Sequence, residues 1–237
     1  MVAMAKDIAP ALLEKLRNAF NEKFNQNKKI KDLYQVIQEG KATYREVNEL
    51  SIEVGDILAK VFQENLSSDI LPDGRMYYNI AKRTVEPMMK NNYNIVIDNG
   101  VVVQELLSRA AGIGIKVQVP PVNQSRIDGI IDRLDAEEVF DDIKWILDEP
   151  VKNFTQAVVD DLVKANADFH HELGLQPKII RKAAPGCCKW CDALEGEYEY
   201  PDDVPDDVYR RHRFCRCTVE YDPGDSRRQD VWTKQWR

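Results

Sequence analysis

The chain has 237 residues, 43% hydrophobic and 31% charged, with a formal net charge of −7. That balance fits a soluble globular protein of one large or two modest domains, and no apolar run approaches the ~20 residues needed to span a bilayer. From Gln176 onward there are 12 Lys/Arg and 12 Asp/Glu, so the acidic excess lies in residues 1–175, which argues against a surface that coats nucleic acid.

The first two-thirds reads as helices. Leu13, Leu16, Phe20 and Phe24 recur at spacings of three and four, placing one apolar stripe on a helix from about Pro10. A second helix is predicted over Ile30–Gln38, ending near Gly40. Thr43 can cap a long third helix whose stripe runs Val47, Leu50, Val54, Leu58, Val61 and Phe62. The LPDG string at 71–74 is a turn. Two further helices are expected over Met76–Asn92, kinked at Pro87, and over Gly100–Ala111. The segment 111–121 looks extended, with residues 115–119 the stretch expected to pair with the C-terminal region. Helices at Gln124–Leu134 and Glu137–Leu147 follow, and Thr155 is the expected cap of Gln156–Leu173. After Gly174 the texture changes to short strands in PKIIRK, EGEYEY and CTVEY, with one or two helical turns in DDVYRRH. The fold class expected is mainly α, with a small C-terminal α+β module stabilised by zinc. The segments would be an N-terminal helical body (1–110), a helical lead-in (111–175) and the zinc module (176–237).

All five cysteines fall within the 31 residues 187–217, beside His212. They form Cys188-x2-Cys191 and then His212-x2-Cys215-x-Cys217, with Cys187 left over. A C-x2-C pair can present both thiolates to one tetrahedral ion, and a second pair from a later loop closes the shell. The expected cofactor is one structural Zn2+. Its ligands are drawn from Cys188, Cys191, His212, Cys215 and Cys217; the first four are preferred, with Cys217 the rival for the last place. A closed site leaves no position for water, so the ion would organise the fold. Cys217 also reads as a buried apolar residue opening a strand. A disulfide is the competing use of such a pair, but Met1–Lys6 leads directly into a charged helix with no secretory signal.

The string CCKWCDALEG, followed about twenty residues later by RRHRFCRCTV, resembles the C-terminal signature of the phage Mu protein F-like minor head (head-morphogenesis) proteins of tailed phages and prophages. The pattern falls on Cys188, Cys191, Leu194, Gly196, His212, Cys215 and Cys217, with Arg213 and Phe214 where relatives commonly have Pro and Asn. The lead-in FTQAVVDDLVKANADFHHELGLQPKIIRKAAPG and the tail PGDSRRQDVWTKQW are similar too. The resemblance covers about residues 150–237. It implies a low-copy internal capsid component, made in the host cytoplasm and built into the virion near the portal, with a part in DNA packaging or ejection. Partners would be portal, scaffold or major capsid protein.

No catalytic dyad is evident, so no enzymatic activity, small-molecule substrate or membrane contact is expected. His170 and His171 read as a solvated pair, and Asp160 and Asp161 as capping and turn chemistry. Arg210, Arg211, Arg213 and Arg216 are the candidates for contact with DNA, the alternative function being a nucleic-acid-binding zinc protein or a nuclease. In the tail, Val231, Trp232 and Trp236 are candidate anchors.

Overall fold

The computed structural model describes residues 7–224 and the backbone of the short strand pair at 229–230 and 235–236. The first three helices follow the apolar stripes. Helix α1 (Ala9–Gln26) has Pro10 in its first turn and buries Leu12, Leu16 and Phe20. Asn27 ends α1 and caps α2 (Lys28–Gln38), its Oδ1 accepting from the Ile30 N–H at 3.0 Å. Gly40, at φ +68°, takes the left-handed turn after α2. Helix α3 (Tyr44–Asn65) opens with a reciprocal cap: Thr43 Oγ1 accepts from the Arg45 N–H, and Glu46 Oε2 accepts from the Thr43 N–H at 2.7 Å. Its stripe from Val47 to Phe62 is almost entirely buried.

Two expected helices are one. Helix α4 (Tyr78–Ala110) runs through Pro87 and through residues 93–99, which lay between the two expected helices. A proline removes one rung of the ladder, and burial of the helix outweighs it. Two of the asparagines, Asn92 and Asn99, are buried and place their amide N–H groups on partners in the core. Asn92 Nδ2 donates to the Val54 carbonyl and to Thr155 Oγ1, and Asn99 Nδ2 donates to the Ile95 carbonyl at 2.7 Å. Gly100 is where another helix comes close: a Cβ there would lie 2.5 Å from Leu162 Cδ2.

The segment 112–123 forms no strand and does not pair with the C-terminal sheet. Its residue Gln118 is held by α7 (Glu149–Glu172) instead. The Asn166 amide brackets Gln118, accepting from its N–H and donating to its carbonyl, both at 2.9 Å. Helix α5 (Gln124–Ala136) is capped by Asn123. The helix expected over 137–147 shrinks to α6 (Phe140–Ile143) and a 3-10 turn at Lys144–Leu147, because Val139 is extended and only Phe140, Ile143, Ile146 and Leu147 are buried. Thr155 does not cap α7. That helix starts near Pro150, and fully buried Thr155 donates its hydroxyl back to the Val151 carbonyl at 3.0 Å.

After α7, strands β1 (Lys178–Lys182), β2 (Gly196–Glu199) and β3 (Thr218–Asp222) form an antiparallel sheet in the order β2-β1-β3. The single turn α8 (Lys189–Asp192) lies between β1 and β2. The helix expected in DDVYRRH is a turn, since Arg181 takes the carbonyls of Val208 (2.7 Å) and Arg210 (3.3 Å) that a helical ladder would use. The inner face of the sheet, Ile179, Val219 and Tyr221, joins the same apolar core as the helices. Asn48 of α3 donates to the Val219 carbonyl at 2.8 Å. The described part is thus mainly α with one small C-terminal sheet, and all three sequence segments share a core. Among the described residues no helix is long and apolar enough to cross a membrane.

Candidate metal centre

The register Lys182↔Thr218 brings the end of β1 and the start of β3 side by side. Two cysteine-bearing loops therefore leave the same end of the sheet. In the first, Gly186 (φ +73°) turns the chain, and Cys188 sits at the N-terminus of α8. Three residues further on, one helical turn returns Cys191 to the same side. In the second, His212, Cys215 and Cys217 approach along the strand into β3.

Their ligand atoms fall into two triads that share Cys191: Cys188/Cys191/His212 and Cys191/Cys215/Cys217, with all atoms of a triad within 4.8 Å of one another. His212 Nε2 lies 3.3 Å from Cys188 Sγ and 3.0 Å from Cys191 Sγ, and Cys191 Sγ lies 3.9 Å from Cys215 Sγ. A tetrahedron with metal–sulfur bonds of ~2.3 Å and metal–nitrogen bonds of ~2.0 Å has edges of roughly 3.5–3.8 Å. The separations at His212 and between Cys191 and Cys215 lie within about half an ångström of these edges, but the two triads meet only at Cys191, so one ion taking ligands from both would have to draw them closer together. These residues can hold a metal ion. Cys187 lies outside both triads.

The surroundings suit ligation. His212 Nδ1 lies 2.6 Å from the Arg213 carbonyl, which can only accept, so Nδ1 carries the proton and Nε2 turns its lone pair toward the sulfurs. Trp190 packs edge-on against the imidazole, centroids 5.7 Å apart. The Cys191 amide, and after it that of Trp190, holds the Cys188 thiol below its usual pKa. Burial, then the neighbouring Cys217 and Cys215 thiols, pushes Cys191 far up. Buried sulfurs so close together cannot all ionise unless a cation compensates them, and a metal does so while displacing their protons.

Two buried arginines flank the thiols. Arg181 on β1 shares the inward face with Ile179, 1% exposed, and places Nη2 3.8 Å from Cys215 Sγ. Arg211 forms a two-point ion pair with Asp160 of α7 at 2.5 and 2.8 Å, with both side chains at most 2% exposed, and donates to the Cys217 carbonyl at 2.7 Å. Asn153 Nδ2 of α7 donates to the His212 carbonyl at 3.0 Å. Glu149 Oε2 accepts from the Phe214 N–H at 3.2 Å, and its carboxylate pairs with Arg216. Burial alone would raise the Glu149 pKa, but Arg216 and Lys152 hold it below the ordinary value. Sequence reasoning missed Arg181; an arginine on the inward alternation of a strand was the available signal.

Of the four arginines named as candidates for contact with DNA, Arg211 is buried, Arg216 is held by Glu149 and Asp56, Arg210 pairs with Asp207, and Arg213 has no ion pair among the described residues. Two sequence expectations are corrected here. His170 and His171 are not a solvated pair. His171 is exposed, but His170 is 1% exposed and its Nδ1 pairs with the Tyr221 hydroxyl. Asp160 is the buried partner of Arg211, in mid-helix rather than at a cap. Val231 and Trp232, and the side chain of Trp236, lie outside the described residues. No protein-family model, curated protein or solved structure matches the chain.

Proposed function

We propose that this chain is a minor head protein of a tailed phage or prophage, acting in procapsid assembly near the portal, with one structural zinc ion clasping its C-terminal loops. The observation that carries the reading is the meeting of the C-x2-C turn and the H-x2-C-x-C segment at one point, with His212 Nε2 aimed at two sulfurs. The same two strings carry the resemblance to the Mu F-like proteins. Thiolates with one imidazole favour zinc. Cys188, Cys191, His212 and Cys215 are the preferred set, with the Cys191–Cys215 separation of 3.9 Å close to a tetrahedral edge; Cys217 shares a triad with Cys191 and Cys215 and is the rival for the last place, although its Sγ already accepts from the Ala184 N–H at 3.3 Å.

The ion is structural, and no catalytic role is assigned to any residue. His212 is unsuited to act as a base, since both ring nitrogens are engaged. The partners are portal, scaffold or major capsid protein, and the place is the interior of the virion after assembly in the host cytoplasm. Contact with DNA is disfavoured, because Arg211 and Arg216 are committed to Asp160 and Glu149. The test is co-expression with the portal, scaffold and major capsid proteins of the same genome. Low-copy recovery in purified procapsids is expected. Normal particles that exclude the chain, or a DNA-cutting or protein-modifying activity abolished by one substitution, would overturn the assignment.

A further inference from the structure

Beside the metal loop lies a cavity of about 350 Å³, formed where α5, the turn at 144–147, α7 and the loop between His212 and Cys215 meet. Ile130, Trp145 and Phe154 give it apolar walls, Arg126 and Arg213 line it with positive charge, and Asn153 contributes an amide. We propose that this cavity docks an acidic peptide segment of a partner protein, which inserts an apolar side chain flanked by carboxylates.

Charge is the first reason. Within the second cysteine loop, Arg210, Arg211 and Arg216 each hold a carboxylate. Arg213 holds none among the described residues, and neither does Arg126 across the cavity; Asp161 lies within electrostatic reach of Arg126 without pairing with it. Arg213 is nevertheless placed. Its guanidinium lies 5.6 Å from the Trp145 ring centroid and 4.8 Å from that of Phe214, leaving its fork of donors to meet a carboxylate.

Rigidity is the second reason. Phe214 is 62% exposed and adopts φ +64°, a left-handed conformation uncommon for a bulky residue. Its N–H is fixed by Glu149, and the carbonyl of His212, two residues earlier, is held by Asn153. An aromatic ring kept in solvent by a pinned backbone, next to an exposed Trp145, is an apolar contact surface prepared in advance. Asn153, which lines the cavity, ties its wall to the same loop through the His212 carbonyl. The proposal depends on the metal reading only because His212 and Cys215 anchor the loop. It does not depend on the phage assignment.

The probe is a fluorescein-labelled pentapeptide of sequence Asp-Glu-Phe-Glu-Asp, followed by anisotropy with the zinc-loaded full chain. Saturable binding that weakens with added salt is expected. It should fall at least about tenfold in Arg126→Glu and in Arg213→Glu, with zinc content and far-UV circular dichroism unchanged. Arg126 lies on α5, outside the metal loop, so that variant remains decisive if the change at Arg213 disturbs the zinc. Absence of saturable binding, or undiminished binding by Arg126→Glu, overturns the proposal. Equal binding of the peptide with lysines in place of its acids, or of duplex DNA with the same arginine dependence, does so too. Self-association of the chain that is lost in Arg126→Glu would assign the surface to a second copy instead.

Discussion

The face of the sheet that meets α3 and α7 is held by apolar burial, whereas the loops at its cysteine end are held by ion pairs and hydrogen bonds around a thiol cluster that can take a metal ion. Ile179, Val219 and Tyr221 belong to a core that begins at Leu12. The cysteines form a separate small cluster, padded by Ala183, Ala184 and Trp190. Three thiols and two alanines bury little apolar area, so the loops cannot order themselves as the helices do. What replaces a core is a set of directed contacts. Asp160, Glu149 and Asn153 of α7 reach across to Arg211, to Arg216 and the Phe214 amide, and to the His212 carbonyl. One helix thus buries apolar side chains on one side and presents polar anchors on the other.

The largest expected effect separates the regions outright. Apparent zinc binding to small modules is worth ~10–16 kcal/mol, and Cys191 belongs to both triads. Cys191→Ser is therefore expected to abolish zinc binding and to expose residues 183–217 to proteolysis. Far-UV helicity and the hydrogen-exchange protection of β1 and β3 should be retained, because those strands are fixed by the main core. Cys187→Ser should be nearly silent, and Cys217→Ser should keep one zinc while Cys215→Ser loses it. Loss of the helices together with the metal would show that the two regions are not separable.

A smaller loss is expected from the ion pair. Arg211→Met leaves Asp160 buried without its partner, which typically costs about 3–5 kcal/mol. Urea unfolding of the zinc-loaded protein should report most of it. The double variant Arg211→Met with Asp160→Asn should recover a large part, since removing both charges avoids a buried unpaired one. If Arg211→Met costs less than about 1 kcal/mol, the metal alone holds the loops and the polar anchors are incidental.

The contrast also explains which parts were legible in the sequence. Features specified by neighbours in the chain were readable: the stripe of α3, the Thr43 cap, and the C-x2-C and H-x2-C-x-C spacings. Features specified by distant partners were not. Asn92 and Asn99 look like helix breakers until Val54, Thr155 and Tyr34 take up their amides. Thr155 can cap a helix or bond back within one, and only burial decides. The exposed-looking Arg211 is defined by an aspartate 51 residues away. Arg181 prevents a helix at 206–212 by taking two carbonyls that the local sequence assigns to a ladder.

The helical region has its own point of failure. Gly100→Ala would place a methyl 2.5 Å from Leu162 Cδ2, against a fully buried side chain. Alanine favours a helix by up to ~1 kcal/mol, but overpacking a filled core costs ~1–3 kcal/mol. A net loss of about 1 kcal/mol in global stability is expected, with zinc stoichiometry unchanged. A more stable variant would mean that α4 and α7 have slack where they cross, and that the body is less tightly packed than its burial implies.

The smallest effect is a pH dependence at the seam between the regions. His170 of α7 pairs with the Tyr221 hydroxyl of β3; Tyr44 packs edge-on against Tyr221, and Phe169 lies beside the imidazole. Burial lowers the His170 pKa below its ordinary 6.5. The unfolded chain therefore binds the proton first as pH falls. The contribution from a neutral His170 is complete above about pH 6.5 and is lost progressively below it, toward the lower pKa of the folded state. Glu149 works in a separate window: its pKa is depressed, so its share persists above the ordinary value of 4.5 and is lost as pH falls below that. A stability profile by urea unfolding should thus show two acid limbs. His170→Asn keeps a polar group near the Nδ1 position without a proton to gain, and should remove the upper limb alone. A profile of His170→Asn that still falls between pH 6.5 and 5 would assign that limb to another origin, most directly to release of the metal. Repeating the scan with Cys191→Ser, which cannot hold the ion, separates those two origins: the His170 limb remains and the metal limb vanishes.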